Sequence, residues 1–95
     1  MNRYELTVIL RNQEKDALVV KTKEILEKHN AVIEKDESWG TKRLAYQIDG
    51  EREGYYFFAI VQSLPEAVKK ITTEFGINTG ILRSLFVKLP NLKEV

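Results

Sequence analysis

Trp39-Gly40-Thr41-Lys42-Arg43-Leu44-Ala45-Tyr46-Gln47-Ile48 is the stretch on which the reading of this 95-residue chain turns. From Leu44 onward, Leu44, Tyr46 and Ile48 point one way and Ala45 and Gln47 the other, the two-residue period of a half-buried strand. Lys42 and Arg43 are neighbours, so one cation faces each side. The strand pattern extends upstream to Ala31, giving a long second strand broken at Trp39-Gly40. A glycine inside a strand marks a bulge that bends it and lets its halves meet different neighbours.

Working outward, Asp49-Gly50-Glu51-Arg52-Glu53-Gly54 reads as a polar turn bracketed by glycines. Tyr55 to Gln62 is a third strand. Ser63-Leu64-Pro65-Glu66 has the spacing of a capping box with Pro in the first turn, which predicts a helix start. Leu64, Ala67, Val68, Ile71 and Phe75 form its buried stripe, and Gly76 ends it. Beyond a loop from Ile77 to Gly80, Leu82 to Leu89 is a fourth strand stopped by Pro90. Towards the amino terminus, Tyr4 to Leu10 is a first strand with Tyr4, Leu6, Val8 and Leu10 on one face. Gln13 to His29 is rich in helix formers, with Leu18, Thr22, Ile25, Leu26 and His29 on one stripe. Asn30 closes that helix because it tolerates the left-handed conformation of a carboxy-terminal cap.

The order strand, helix, strand, strand, helix, strand is that of an α+β ferredoxin-like domain over residues 1–90, followed by a short tail, 91–95. Right-handed crossovers give a four-stranded antiparallel sheet of order 4-1-3-2 with both helices on one face. The other face is open. Every residue from Tyr55 to Val61 is apolar or aromatic, so both faces of the third strand are hydrophobic. With Tyr55, Phe57, Ala59 and Val61 turned inward, Tyr56, Phe58 and Ile60 lie on the open face beside Arg3, Glu5 and Thr7. Aromatic rings beside cations are what base stacking and phosphate contact require.

Composition narrows the function. With 15 Lys plus Arg against 14 Asp plus Glu, the chain has no global positive field, so any RNA site must be a local patch. The chain has no cysteine, which removes disulfides and thiolate metal sites. No apolar run approaches the roughly 20 residues that span a bilayer, and the charged amino terminus lacks the apolar core of a secretory signal, so a soluble intracellular protein is expected. His29 is the only histidine and is read as a partly buried capping residue. Glu34 and Asp36 are expected on one face of the second strand and Glu37 on the other, which does not supply convergent metal ligands. No glycine-rich phosphate loop precedes either helix. Neither an enzyme, a cofactor, a metal site nor a small-molecule substrate is expected. Arg11 and Lys35 are read as ordinary surface charges.

The central block resembles the Gly-x-Lys/Arg-Arg-Leu-Ala-Tyr-x-Ile element of the bacterial small-subunit ribosomal protein six family. Arg3-Tyr4-Glu5, Gly54-Tyr55-Tyr56 and Ile81-Leu82-Arg83-Ser84-Leu85-Phe86-Val87-Lys88 are similar to the family's first, third and last strands. Only the tail after Lys88 falls outside the match, and Asn30 stands where the family often has Gly. The resemblance implies a structural component of the cytoplasmic ribosome that binds the central domain of small-subunit ribosomal RNA together with ribosomal protein eighteen. It makes Arg3, Tyr56, Phe58, Arg83 and Lys88 candidates for RNA contact, and Trp39, Lys42, Arg43 and Tyr46 candidates for the protein partner. A ferredoxin-like regulatory or oligomerising module using the same open face is the alternative. The aromatic signature of the RNA-recognition module is not found in Tyr55 to Gln62.

Overall fold

The computed structural model describes residues 1–90, and the expected tail at 91–95 lies outside the described residues. The elements are β1 (Asn2–Leu10), a 3-10 turn (Asn12–Glu14), α1 (Lys15–Lys28), β2 (Val32–Ile48), β3 (Glu51–Ser63), α2 (Pro65–Ile77) and β4 (Ile81–Lys88). The four strands form one antiparallel sheet of order β2-β3-β1-β4, the expected ferredoxin-like topology.

Strand parity decides what is buried. Tyr4, Leu6, Val8 and Leu10 of β1 and Phe57, Ala59 and Val61 of β3 turn inward, and Leu18, Ile25 and Leu26 of α1 and Ile71 and Phe75 of α2 close over them. Phe57 is 1% exposed. Full burial of a side chain of this size is worth about 1.5–3 kcal/mol relative to exposure. Asn30 takes φ 61° and ends α1 as expected. His29 is the carboxy-terminal cap residue of α1, and its Nε2 lies 2.8 Å from Oε1 of Glu74 in α2.

Three local features differ from the sequence pattern. The link between β2 and β3 is two residues, not six: Asp49 (φ 48°) and Gly50 (φ 80°) both adopt the left-handed region, the tight turn whose twist matches that of the flanking strands. Ser63 does not cap α2. It pairs with Asn2 as the last residue of β3, its hydroxyl donates to the carbonyl of Leu64, and Leu64 is the exposed residue before Pro65. α2 also runs through Gly76 to Ile77.

β2 has 17 residues. At roughly 3.3 Å per residue it would reach about 56 Å if straight, yet the longest dimension of the molecule is 42 Å. It therefore curves, and register shifts between Ile33 and Lys35, between Ser38 and Gly40, and between Arg43 and Ile48 supply the curvature. The middle shift is the bulge expected at Trp39-Gly40. The first reverses the parity of the acidic residues: Glu34 and Glu37 share the open face, whereas Asp36 pairs beside inward-facing Ala59 and meets Lys23 of α1.

Candidate nucleic-acid and partner interface

The side of the sheet away from the helices is built in rows across the strands. Arg83, Ile9, Tyr56 and Gly40 make one row, Leu85, Thr7, Phe58 and Glu37 the next, and Val87, Glu5, Ile60 and Lys35 the third. Leu85 and Val87 on the edge strand β4 are 60% and 45% exposed. These exposed apolar side chains, set among Glu5, Lys35 and Arg83, make the face the candidate interaction surface.

The bulge of β2 turns Trp39 onto this face. Its indole lies flat on Phe58, with ring centroids 4.9 Å apart and planes 10° from parallel. The indole Nε1 donates to Oε1 of Glu37 at 2.8 Å, and Lys35 Nζ holds the other carboxylate oxygen at 3.0 Å. These contacts, the Trp39 hydrogen bond first, keep the Glu37 carboxyl below its ordinary pKa. Lys42, on the same face, places Nζ 5.4 Å from the Trp39 ring and 5.6 Å from that of Tyr56, within cation–π range. Trp39, Lys42, Tyr56 and Phe58 thus form one cluster, although the sequence had divided them between RNA and partner.

Beyond Leu10, which pairs with Tyr55, the β2–β3 hairpin overhangs β1 and bends across the open face. Gly54 permits the bend. A Cβ there would collide with Ile9 Cγ2 and stand 3.4 Å from Leu44 Cδ2. The hairpin thereby carries Tyr46 to Arg83 of β4, with 5.7 Å between the guanidinium and the ring centroid. On the other side Arg11 anchors the hairpin. Its Nε donates to the carbonyl of Thr79 and its Nη1 to Oε2 of Glu51, both at 2.8 Å. Arg11, read from sequence as an ordinary surface charge, is a tie between three segments. Nothing local could have revealed this, because its side-chain partners are 40 and 68 residues away.

The remaining candidates lie apart. Arg3 is on the open face, but its Nε and Nη2 both donate to Glu34 at 3.0 Å, and Gln62 adds a bond to the same carboxylate at 2.8 Å. The hydrogen bonds from Arg3 and then Gln62 hold the Glu34 carboxyl below its ordinary pKa. Arg43 faces away from Lys42, as adjacency required, and lines an open hollow with Asn12, Gln13, Glu51, Arg52 and Glu53. Lys88 pairs with inward-facing Tyr4, so it stands on the helix side of β4, opposite to Arg83. Among the described residues no cluster of His, Cys, Asp or Glu could hold a metal ion, and no helix is long and apolar enough to cross a membrane.

Comparison with known proteins gives this surface a context. The small ribosomal subunit protein bS6 of Leptospira biflexa is 34% identical over 88 residues, covering 93% of this chain and 97% of its own length. That of Clostridium perfringens is 34% identical over 92 residues with the same coverage. Among solved structures, ribosomal protein S6 of Thermotoga maritima superposes with a TM-score of 0.83 at 22% identity, covering 93% of this chain and 87% of that one. The C-terminal domain of the MgtC protein from Mycobacterium tuberculosis reaches 0.65 at 10% identity, covering 94% and 88%. These two likenesses concern the fold alone, and a fold does not fix a function. The sequence match does more, since the family model described as Ribosomal protein S6 aligns with residues 3–88. The chain belongs to the ribosomal protein S6 family, whose members are structural, non-catalytic components of the small subunit of the bacterial cytoplasmic ribosome.

Proposed function

We propose that this protein binds the central domain of small-subunit ribosomal RNA jointly with ribosomal protein eighteen, through its open sheet face and the hairpin that bends over it. The observation that carries this reading is the joining of aromatic rings and cations on that face, Trp39, Tyr56 and Phe58 with Lys42 and Arg83, in a chain whose net charge is only +1. Phosphate contacts supply most of the affinity of RNA binders, and a nearly neutral domain offers few of them. A second protein bringing positive charge and sharing the RNA site removes this difficulty.

In this arrangement the RNA-facing groups are Tyr56, Phe58 and Arg83, with Arg3 at the far end of the open face, while Lys88 on the helix side of β4 falls outside it. The partner-facing groups are those of the hairpin arm, Lys42, Arg43 and Tyr46. Trp39 goes with Phe58, on which it is stacked. Charge reversal of both Lys42 and Arg43 is the direct test. Exposed substitutions usually change stability by about 0.5 kcal/mol or less, so the doubly reversed protein should melt like the wild type and fail to assemble with partner and RNA. Unchanged assembly would reduce these cations to protection of the sheet edge.

A further inference from the structure

Phe58 cannot present its ring to a base, because Trp39 already covers it in a nearly parallel stack. Trp39 itself remains 44% exposed, so the stack is reached from solvent through the indole. The ring is also held in position. Phe58 supports it from beneath, and the hydrogen bond from Nε1 to Glu37 fixes its rotation within the plane. A platform oriented before the ligand arrives loses little conformational freedom on binding.

The charges beside the platform indicate its occupant. Lys42 stands between the Trp39 and Tyr56 rings, and Lys35 offsets Glu37, so the local balance is positive. An apolar side chain laid on Trp39 would cover the Lys42 ammonium without a counter-charge. A nucleotide supplies both missing parts, a flat ring for the indole and a phosphate for the ammonium.

We propose that Trp39 is the stacking platform for one unpaired base of the bound RNA and that Lys42 takes the phosphate next to that base. This rests on the RNA-binding reading above, puts Trp39 in place of Phe58 as the base contact and moves Lys42 from the partner contact to the RNA contact. The preference is for an unpaired nucleotide of any sequence, because every base has a face to stack and the carboxylate adjoining the ring, that of Glu37, is already engaged by the indole and by Lys35.

Trp39 is the only tryptophan of the chain, so a fluorinated tryptophan incorporated here gives a single fluorine resonance. Ribosomal protein eighteen is added first and a central-domain RNA fragment second. The resonance should keep its position with the partner protein and move upfield with RNA, as expected for a ring placed over a base. Trp39→Ala should weaken RNA binding by the protein pair roughly 5- to 150-fold, the range reported for loss of one base stack, without changing its salt dependence. Trp39→Phe should recover much of the loss, whereas Lys42→Gln should lower the salt slope by about one unit. Movement of the resonance with the partner protein alone would overturn the inference. So would RNA binding that leaves both the resonance and the Trp39→Ala affinity unchanged, with the RNA-binding reading intact. Absence of RNA binding by the wild-type pair would overturn both.

Discussion

Tyr46 and Arg83 belong to strands at opposite edges of the sheet, yet the Arg83 guanidinium lies 5.7 Å from the Tyr46 ring centroid. The contact spans β1 and β3 and requires the β2–β3 hairpin to bend over the open face. A cation–π pair at an exposed site is worth about 0.5–1 kcal/mol, so Tyr46→Ala should leave global stability nearly unchanged. Hydrogen exchange in the paired part of the arm, where Arg43 meets Glu53 and Ile48 meets Glu51, should nevertheless accelerate, because the arm loses its latch on this side. Unaltered exchange there would mean that the hairpin holds its position without the pair.

On the helix side, Arg11 bridges Thr79 and Glu51. Hydrogen bonds to charged groups contribute about 1.5–3 kcal/mol, and Arg11→Ala should cost an amount in that range in urea denaturation. Adding Glu51→Gln to that variant should cost little more, since the bond is already gone. Full additivity of the two substitutions would show that the bridge does not couple them.

The two faces of β3 separate by mutation. Phe57→Ala should cost roughly 3–5 kcal/mol, as transfer and cavity terms add at a fully buried ring. Phe58 is half-buried, with Trp39 stacked on it. Its truncation should cost clearly less, with about 0.5–1.5 kcal/mol for the lost aromatic pair as the main part. Equal losses in denaturant melts would contradict the assignment of faces.

The inward parity of β1 was legible from alternation, since Tyr4, Leu6, Val8 and Leu10 share one face, but that of β3 was not, because Tyr55 to Val61 is apolar on both faces and its aromatics are assigned only through their register with β1. The topology was legible from element order. What escaped was set by tertiary pairing. Ser63 has the spacing of a cap, but its backbone is claimed by the ladder with Asn2. Glu34 faces Arg3 because a register shift that leaves no mark in the local sequence lies between Ile33 and Lys35. Asp49-Gly50 was different: it carries a hairpin signal strong enough to find, and the charged residues after it were wrongly included in the turn. At the candidate site, the residue types were legible and their grouping was not. Trp39 meets Phe58 only through the bulge, and Tyr46 meets Arg83 only through the bend over Gly54.

Acid should weaken the fold through three carboxylates. Glu34, Glu37 and Glu74 are held below the ordinary value of 4.5, chiefly by hydrogen bonds from Arg3, Trp39 and Lys28 respectively. A carboxyl depressed in the folded state stabilises fully above its unfolded value and loses that contribution as pH falls through its folded one. The melting temperature should therefore be nearly level above pH 4.5 as far as these groups are concerned and should decline below it. The decline should be shallower in Glu34→Gln and Glu74→Gln. An identical acid limb in both variants would exclude these pairs as its source.

Whether the RNA site is shared is read from a titration of a central-domain ribosomal RNA fragment with this protein, alone and with ribosomal protein eighteen, at several salt concentrations. Weak binding by the isolated chain is predicted, with tight binding only when both proteins are present and an affinity that falls as salt rises. Tight binding by the isolated chain at physiological salt, or no gain on adding the second protein, would contradict the account.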